Sequence, residues 1–120
     1  MATILLVEST PADLALAHKL LDAAHHDVLT AERAAVGLDI ARDRLPDLVL
    51  MGLGLPDMNG WKALAEIRAD PATADLRVVA FTAHAMVGDH RRVLEAGFDG
   101  YLSKPIDFAT FSRSVEELLP

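Results

Sequence analysis

Pro46-Asp47-Leu48-Val49-Leu50-Met51-Gly52-Leu53-Gly54-Leu55-Pro56-Asp57-Met58-Asn59-Gly60 runs from a helix-stopping proline, through the most apolar stretch of the chain, into a glycine-rich loop. Leu48 to Met51 has no alternating polar positions, so a strand built from it must be covered on both faces. That is the condition of a central strand in a parallel sheet, where crossover helices lie on either side. Upstream, Ile4-Leu5-Leu6-Val7 is a similar short apolar run and ends at Glu8-Ser9.

Working outward, strand-like and helix-like segments alternate, five of each. Thr10-Pro11 reads as an N-cap followed by proline at the first helical position, with Leu14, Ala17, Leu21 and Ala24 as the apolar stripe. A weaker strand covers Asp27 to Ala31. Ala34, Leu38, Ala41 and Leu45 place the second helix, before Pro46. The third helix carries Trp61, Leu64 and Ile67 as a packing face and breaks near Asp70-Pro71. Val78 to Phe81 is the fourth strand, ending at Thr82, and a helix over about Met86 to Ala96 closes with Gly97 in the left-handed position. Phe98 to Leu102 is the fifth strand. Asp107 is expected to cap a last helix with Phe108, Phe111, Val115 and Leu118 as its buried stripe.

The pattern predicts a single α/β domain over residues 1–120: a flavodoxin-like, doubly wound (βα)5 three-layer sandwich with parallel strand order 2-1-3-4-5. Ligands in such sheets bind outside the carboxyl ends of the strands, where the winding reverses, between the first and third strands. The strand-end residues are Glu8, Ser9, Gly52, Gly54, Thr82 and Lys104.

Composition excludes several classes. Eighteen acidic against eleven basic residues give a net charge of −7, which repels nucleic acid and anionic membrane surfaces. The N-terminus lacks the basic region of a secretory signal, and no apolar run approaches the ~20 residues of a spanning helix. A cytoplasmic location is expected. With no cysteine there is no disulfide, thiolate metal site or cysteine nucleophile.

Taken in order, Ile4-Leu5-Leu6-Val7 with an acid next, Pro46-Asp47-Leu48-Val49-Leu50-Met51, Leu55-Pro56-Asp57-Met58-Asn59-Gly60, Phe81-Thr82-Ala83-His84-Ala85-Met86, Ala96-Gly97-Phe98-Asp99-Gly100-Tyr101 and Lys104-Pro105 resemble the receiver domains of bacterial two-component response regulators. The resemblance covers essentially the whole chain and is greatest to single-domain and hybrid-kinase receivers. In that family an aspartate at the end of the third strand accepts a phosphoryl group from a phosphohistidine, and an acidic pair after the first strand binds Mg²⁺. The resemblance puts Gly52 at the acceptor position and Ser9 at the second acidic position, leaving Glu8 as the one carboxylate, while the loop carbonyl belongs to Gly54. Thr82, Lys104, Pro105 and Tyr101 match the family's hydroxyl, ammonium, commonly cis proline and switch aromatic.

These departures imply a degenerate receiver, or pseudo-receiver: not an enzyme, without a metal site or cofactor, with Mg²⁺ binding weak or absent. Glu8 is expected to pair with Lys104 rather than hold a cation. Asp57 and Ser9 are weighed as substitute acceptors and read as loop residues. The alternative is a phosphoacceptor receiver that uses another residue or carries a substituted acceptor site. A flavodoxin-like cofactor binder is disfavoured by the poor phosphate loop Ser9-Thr10-Pro11-Ala12-Asp13. His18, His25, His26, His84 and His90 are expected to face solvent. The implied partner is a histidine kinase, phosphotransfer protein or effector domain. It would dock on the fourth helix, fifth strand and fifth helix, around Arg91, Arg92 and Tyr101, with the chain a monomer or weak homodimer.

Overall fold

The computed structural model describes residues 2–83 and 87–120. Its elements are β1 (Thr3–Val7), α1 (Pro11–Ala23), β2 (Asp27–Ala31), α2 (Ala34–Arg44), β3 (Leu48–Gly52), α3 (Gly60–Ala69), β4 (Val78–Thr82), α4 (Val87–Ala96), β5 (Gly100–Ser103) and α5 (Phe111–Leu118). The five strands form one parallel sheet in the order β2-β1-β3-β4-β5, the flavodoxin-like topology expected from the alternation.

Side chains alternate across each strand, so every central strand supplies two cores. Leu5, Val7, Val49, Met51, Val78 and Ala80 face α2, α3 and α4, where Ala34, Ala41, Leu64, Ile67 and Val93 meet them. Ile4, Leu6, Leu48, Leu50, Val79 and Phe81 face α1 and α5, against Ala17, Leu21, Phe111 and Val115. β3 and β4 are buried along their whole length. Each large aliphatic side chain removed from water here contributes roughly 1.5–3 kcal/mol before its ordering entropy is subtracted.

Two aspartates clip the starts of the strands. Asp47, just before β3, accepts a hydrogen bond from the Thr3 amide at 2.8 Å and donates its own amide to the Thr3 carbonyl. Asp99, just before β5, does the same to Val78 of β4, with distances of 2.8 and 2.7 Å. Arg68 of α3 bonds the Asp99 carboxylate at 2.9 Å and also donates to the carbonyls of Ala74, Leu76 and Gly97. These side chains fix the register where the ladder begins.

Helix ends follow the expected chemistry in part. Gly97 has φ +109°, the left-handed position after α4, and Phe98 donates back to the Val93 carbonyl. α1 closes in the same way on a residue that is not glycine: His25 has φ 69°, and His26 donates back to the Leu21 carbonyl. His26 thereby takes the inward position that follows such a cap. It is only 6 % exposed, with Nδ1 accepting the Ala2 amide and Nε2 directed at Glu116 Oε1, 3.5 Å away. The solvent-facing expectation is therefore corrected for His26; His84 lies outside the described residues.

The last helix also differs. Asp107 Oδ1 accepts the Ala109 amide in a local turn, Thr110 is the residue before the helix, and α5 begins only at Phe111. The stripe extended backward from Phe111 assumed helical geometry over residues 108–110. The chain turns there instead and leaves Phe108 70 % exposed. Phe98 precedes β5 rather than opening it, and packs edge-on against Trp61 with ring centroids 5.6 Å apart. The expected α4 start at Met86 lies outside the described residues. No helix among the described residues is long and apolar enough to cross a membrane.

Candidate functional site

The carboxyl ends of β1, β3, β4 and β5 open into a cleft of about 170 Å³, lined by Glu8, Thr10, Gly54, Phe81, Thr82 and Lys104. A larger depression of about 300 Å³ lies at the opposite end of the sheet, beside Asp47 and Asp99. Those carboxylates already bond backbone amides, so the converging ionic groups single out the smaller cleft.

Glu8 follows β1 directly and is buried, its amide donating to the Ala31 carbonyl at 2.9 Å. One carboxylate oxygen, Oε2, accepts the Thr10 amide at 2.8 Å, and the other, Oε1, lies 2.5 Å from Lys104 Nζ. Thr10 is in the N-cap position of α1 but makes no side-chain cap; its amide serves to orient Glu8. Lys104 leaves β5 with its amide bonded to the Thr82 carbonyl and precedes a cis peptide to Pro105. Its ammonium sits 4.9 Å from the Phe81 ring centroid, within cation–π range.

The cleft holds a second carboxylate, which corrects the expectation that Glu8 is alone. Asp13, in the first turn of α1, places Oδ2 3.1 Å from Lys104 Nζ. Helix α1 starts only a few residues after β1, so its first turn rises beside the strand end. At 2.5 Å the gross attraction of Glu8 and Lys104 is about 7 kcal/mol for an effective dielectric near 20, much of which offsets desolvation. The second carboxylate and the aromatic face complete the ammonium's surroundings.

Ser9 Oγ donates to the Gly54 carbonyl at 3.4 Å, joining the two loops around the cleft. Gly52 ends β3 and is buried. Thr82 ends β4 and is buried beside it. The donor set does not fit a Mg²⁺ ion: Glu8 and Asp13 are both engaged by an ammonium, and the Gly54 carbonyl accepts a hydroxyl. Among the described residues no group of three or more acids or histidines is placed to hold a metal.

Asp57 does not enter the cleft. Its carboxylate accepts the amides of Ala34 and Ala35, at 2.8 and 2.9 Å, and so caps α2 from the loop after β3. The residue in the N-cap position of α2 is Arg33, whose side chain makes no cap, so the orphan donors are met from a distant loop. The Ala35 amide, then that of Ala34, hold the Asp57 carboxyl below its ordinary value of 3.8, with Arg33 adding to the effect. The local sequence pointed to a turn residue, and the missing side-chain cap on α2 was the signal that it served another element.

On the neighbouring face Tyr101 is half-buried, its ring centroid 4.0 Å from that of His90. Arg92 lies over Trp61 at 5.6 Å, and Arg91 is exposed, 3.9 Å from Glu95.

Sheet order and strand-end cleft define a doubly wound α/β domain with its site at the β1/β3 switch point. Residues 4–116 match the response regulator receiver domain, and the chain belongs to that family of two-component signalling modules. The polar-differentiation response regulator DivK of Brucella anthropi is 30 % identical over 117 residues, spanning 98 % of this chain and 95 % of that protein. Among solved structures, the receiver domain of a sensor histidine kinase from Pseudomonas aeruginosa, with magnesium in its active-site cleft, is 30 % identical. It superposes with a TM-score of 0.87 over 98 % of this chain and 96 % of that one. The chemotaxis response regulator CheY4 of Vibrio cholerae shares the fold at 20 % identity, TM-score 0.91, with 99 % of each chain covered.

Lys104→Met leaves a carboxylate buried without its ammonium and is expected to cost about 3 kcal/mol in chemical denaturation. Adding Glu8→Gln should recover part of that loss, as a double-mutant cycle would show. Asp57 gives a pH signature. Its folded pKa lies below the unfolded one, so its stabilisation is complete above the unfolded value and fades as pH falls through the folded one. Asp57→Asn should therefore lower Tm near neutrality, with the difference from wild type shrinking as pH drops below 3.8.

Proposed function

We propose that this receiver domain signals without being phosphorylated, acting in the cytoplasm as a non-enzymatic protein-interaction module. The observation that carries the reading is Gly52. It stands at the end of β3, where the family places its acceptor aspartate, and offers no oxygen to accept a phosphoryl group. Two features support it. Lys104, which would meet phosphoryl oxygens in a working receiver, is engaged by Glu8 and Asp13, and Asp57 is engaged at α2. In-line transfer tolerates little misplacement of the reacting oxygen, which argues against Ser9 or Asp57 as a substitute.

The partner is drawn from the proteins receivers meet: a histidine kinase, a phosphotransfer protein or an effector domain. The family relationship and the two relatives at 30 % identity, one a response regulator and one a kinase receiver, support that choice. The α4-β5-α5 face is the proposed docking surface, with Arg91, Arg92 and Tyr101 as contacts. Without phosphorylation, its activity is set by partner binding and abundance.

Incubation with acetyl phosphate and Mg²⁺ should leave the intact mass unchanged, whereas a stoichiometric gain of one phosphoryl group would overturn the reading and favour a working phosphoacceptor. For the docking surface, Arg91→Glu and Tyr101→Ala should each weaken binding to a cognate kinase or phosphotransfer domain at least tenfold by calorimetry. Unchanged affinity in both variants would count against this face.

A further inference from the structure

We propose that Gly52 is the steric counterpart of the Glu8–Lys104 bridge: the missing β-carbon at the end of β3 leaves the room in which the chain's own ion cluster closes its cleft. The topology sets the problem. Glu8 continues β1, and Lys104 follows β5, its amide bonded across to the Thr82 carbonyl at the end of β4. β3 and β4 lie between β1 and β5, and three inter-strand spacings put the ends of those two strands ~14 Å apart. Any direct contact between the two side chains must therefore pass over the ends of β4 and β3, and so over the last residue of β3.

That residue is Gly52. A β-carbon built on it would lie 3.3 Å from Glu8 Oε1, the oxygen that bonds Lys104, and 3.2 Å from the Val7 carbonyl oxygen, with Leu55 at 3.6 Å on its far side. The two oxygen contacts are tighter than side chains usually make, and those atoms have little freedom to yield. The carbonyl is main chain, and Glu8 is fixed from its other oxygen by the Thr10 amide. Dihedral preference does not explain the glycine, because the one glycine of positive φ among the described residues is Gly97. The residue is needed for space rather than for conformation. Gly54, two positions on, has nothing within 4 Å of its virtual β-carbon and is free of that demand.

The consequence is an internal occupant of the strand-end cleft. The carboxylate of Glu8, arriving from β1, stands where a side chain from β3 would otherwise meet Lys104, and Asp13 completes the neutralisation from α1. β1, α1 and the β5–α5 connection are thus tied together without an added ligand. This coupling does not depend on whether the domain escapes phosphorylation, since it concerns which atoms fill the cleft.

The test compares Gly52→Ala with Gly54→Ala, each alone and with Glu8→Ala. An alanine replacing an unstrained glycine ordinarily holds or raises stability by restricting the unfolded chain. Gly54→Ala should behave so, whereas Gly52→Ala should lower Tm by about 5 °C. In the Glu8→Ala background, where Lys104 keeps Asp13, the Gly52→Ala loss should fall to less than half. A second readout follows the Lys104 ammonium by ¹⁵N NMR: the slowly exchanging signal expected of wild type and Gly54→Ala should broaden or vanish in Gly52→Ala. A raised Tm for Gly52→Ala, an undiminished loss without Glu8, or an unchanged ammonium signal in Gly52→Ala would each overturn the proposal.

Discussion

The ammonium of Lys104, held between Glu8 and Asp13, ties the two halves of a doubly wound sheet at its open end. A parallel sheet collects all its strand C-termini at one edge, and the crossovers leaving that edge diverge to opposite faces. Without a cross-link, β1 and the β5–α5 connection would be joined there only through β3 and β4. A half-buried cation satisfied from β1 and α1 supplies that link, and its partial desolvation is tolerable because the aromatic face of Phe81 and two carboxylates lie against it.

The acidic surplus takes on a different meaning in the folded chain. Asp47 and Asp99 accept strand amides, Asp57 caps α2 from another loop, and Asp107 shapes the turn before α5. The first three meet backbone donors that regular secondary structure leaves unpaired at an element's start, and Asp107 meets one in a turn. The charge of −7 is thus partly structural, with acids placed where the ends of strands and helices expose N–H groups.

Much of the fold was legible in sequence because the strands here are short continuous apolar runs. Leu48 to Met51 and Val78 to Phe81 read as doubly covered strands, and both are buried throughout. Legibility failed where one pattern served two geometries. Phe108 shares helical spacing with Phe111 and Val115, yet the Asp107 turn holds it outside the helix. His26 looked polar in a polar turn, yet the left-handed His25 directs it inward. Within the site, Glu8, Gly52, Thr82 and Lys104 were readable as strand ends; Asp13 and the true task of Asp57 were not. Both act on partners distant in the chain, Lys104 for one and Ala34 and Ala35 for the other.

The chain's order of residues sufficed for the alternation of elements, the parallel sheet, the strand-end location of the site and the glycine at the end of β3, because each follows from local periodicity and short-range turn chemistry. Folding alone settled which carboxylates meet Lys104, which loop caps α2 and which histidine is buried. Those outcomes depend on distances between segments far apart in sequence. A shift of one helix turn would give the same residues different partners.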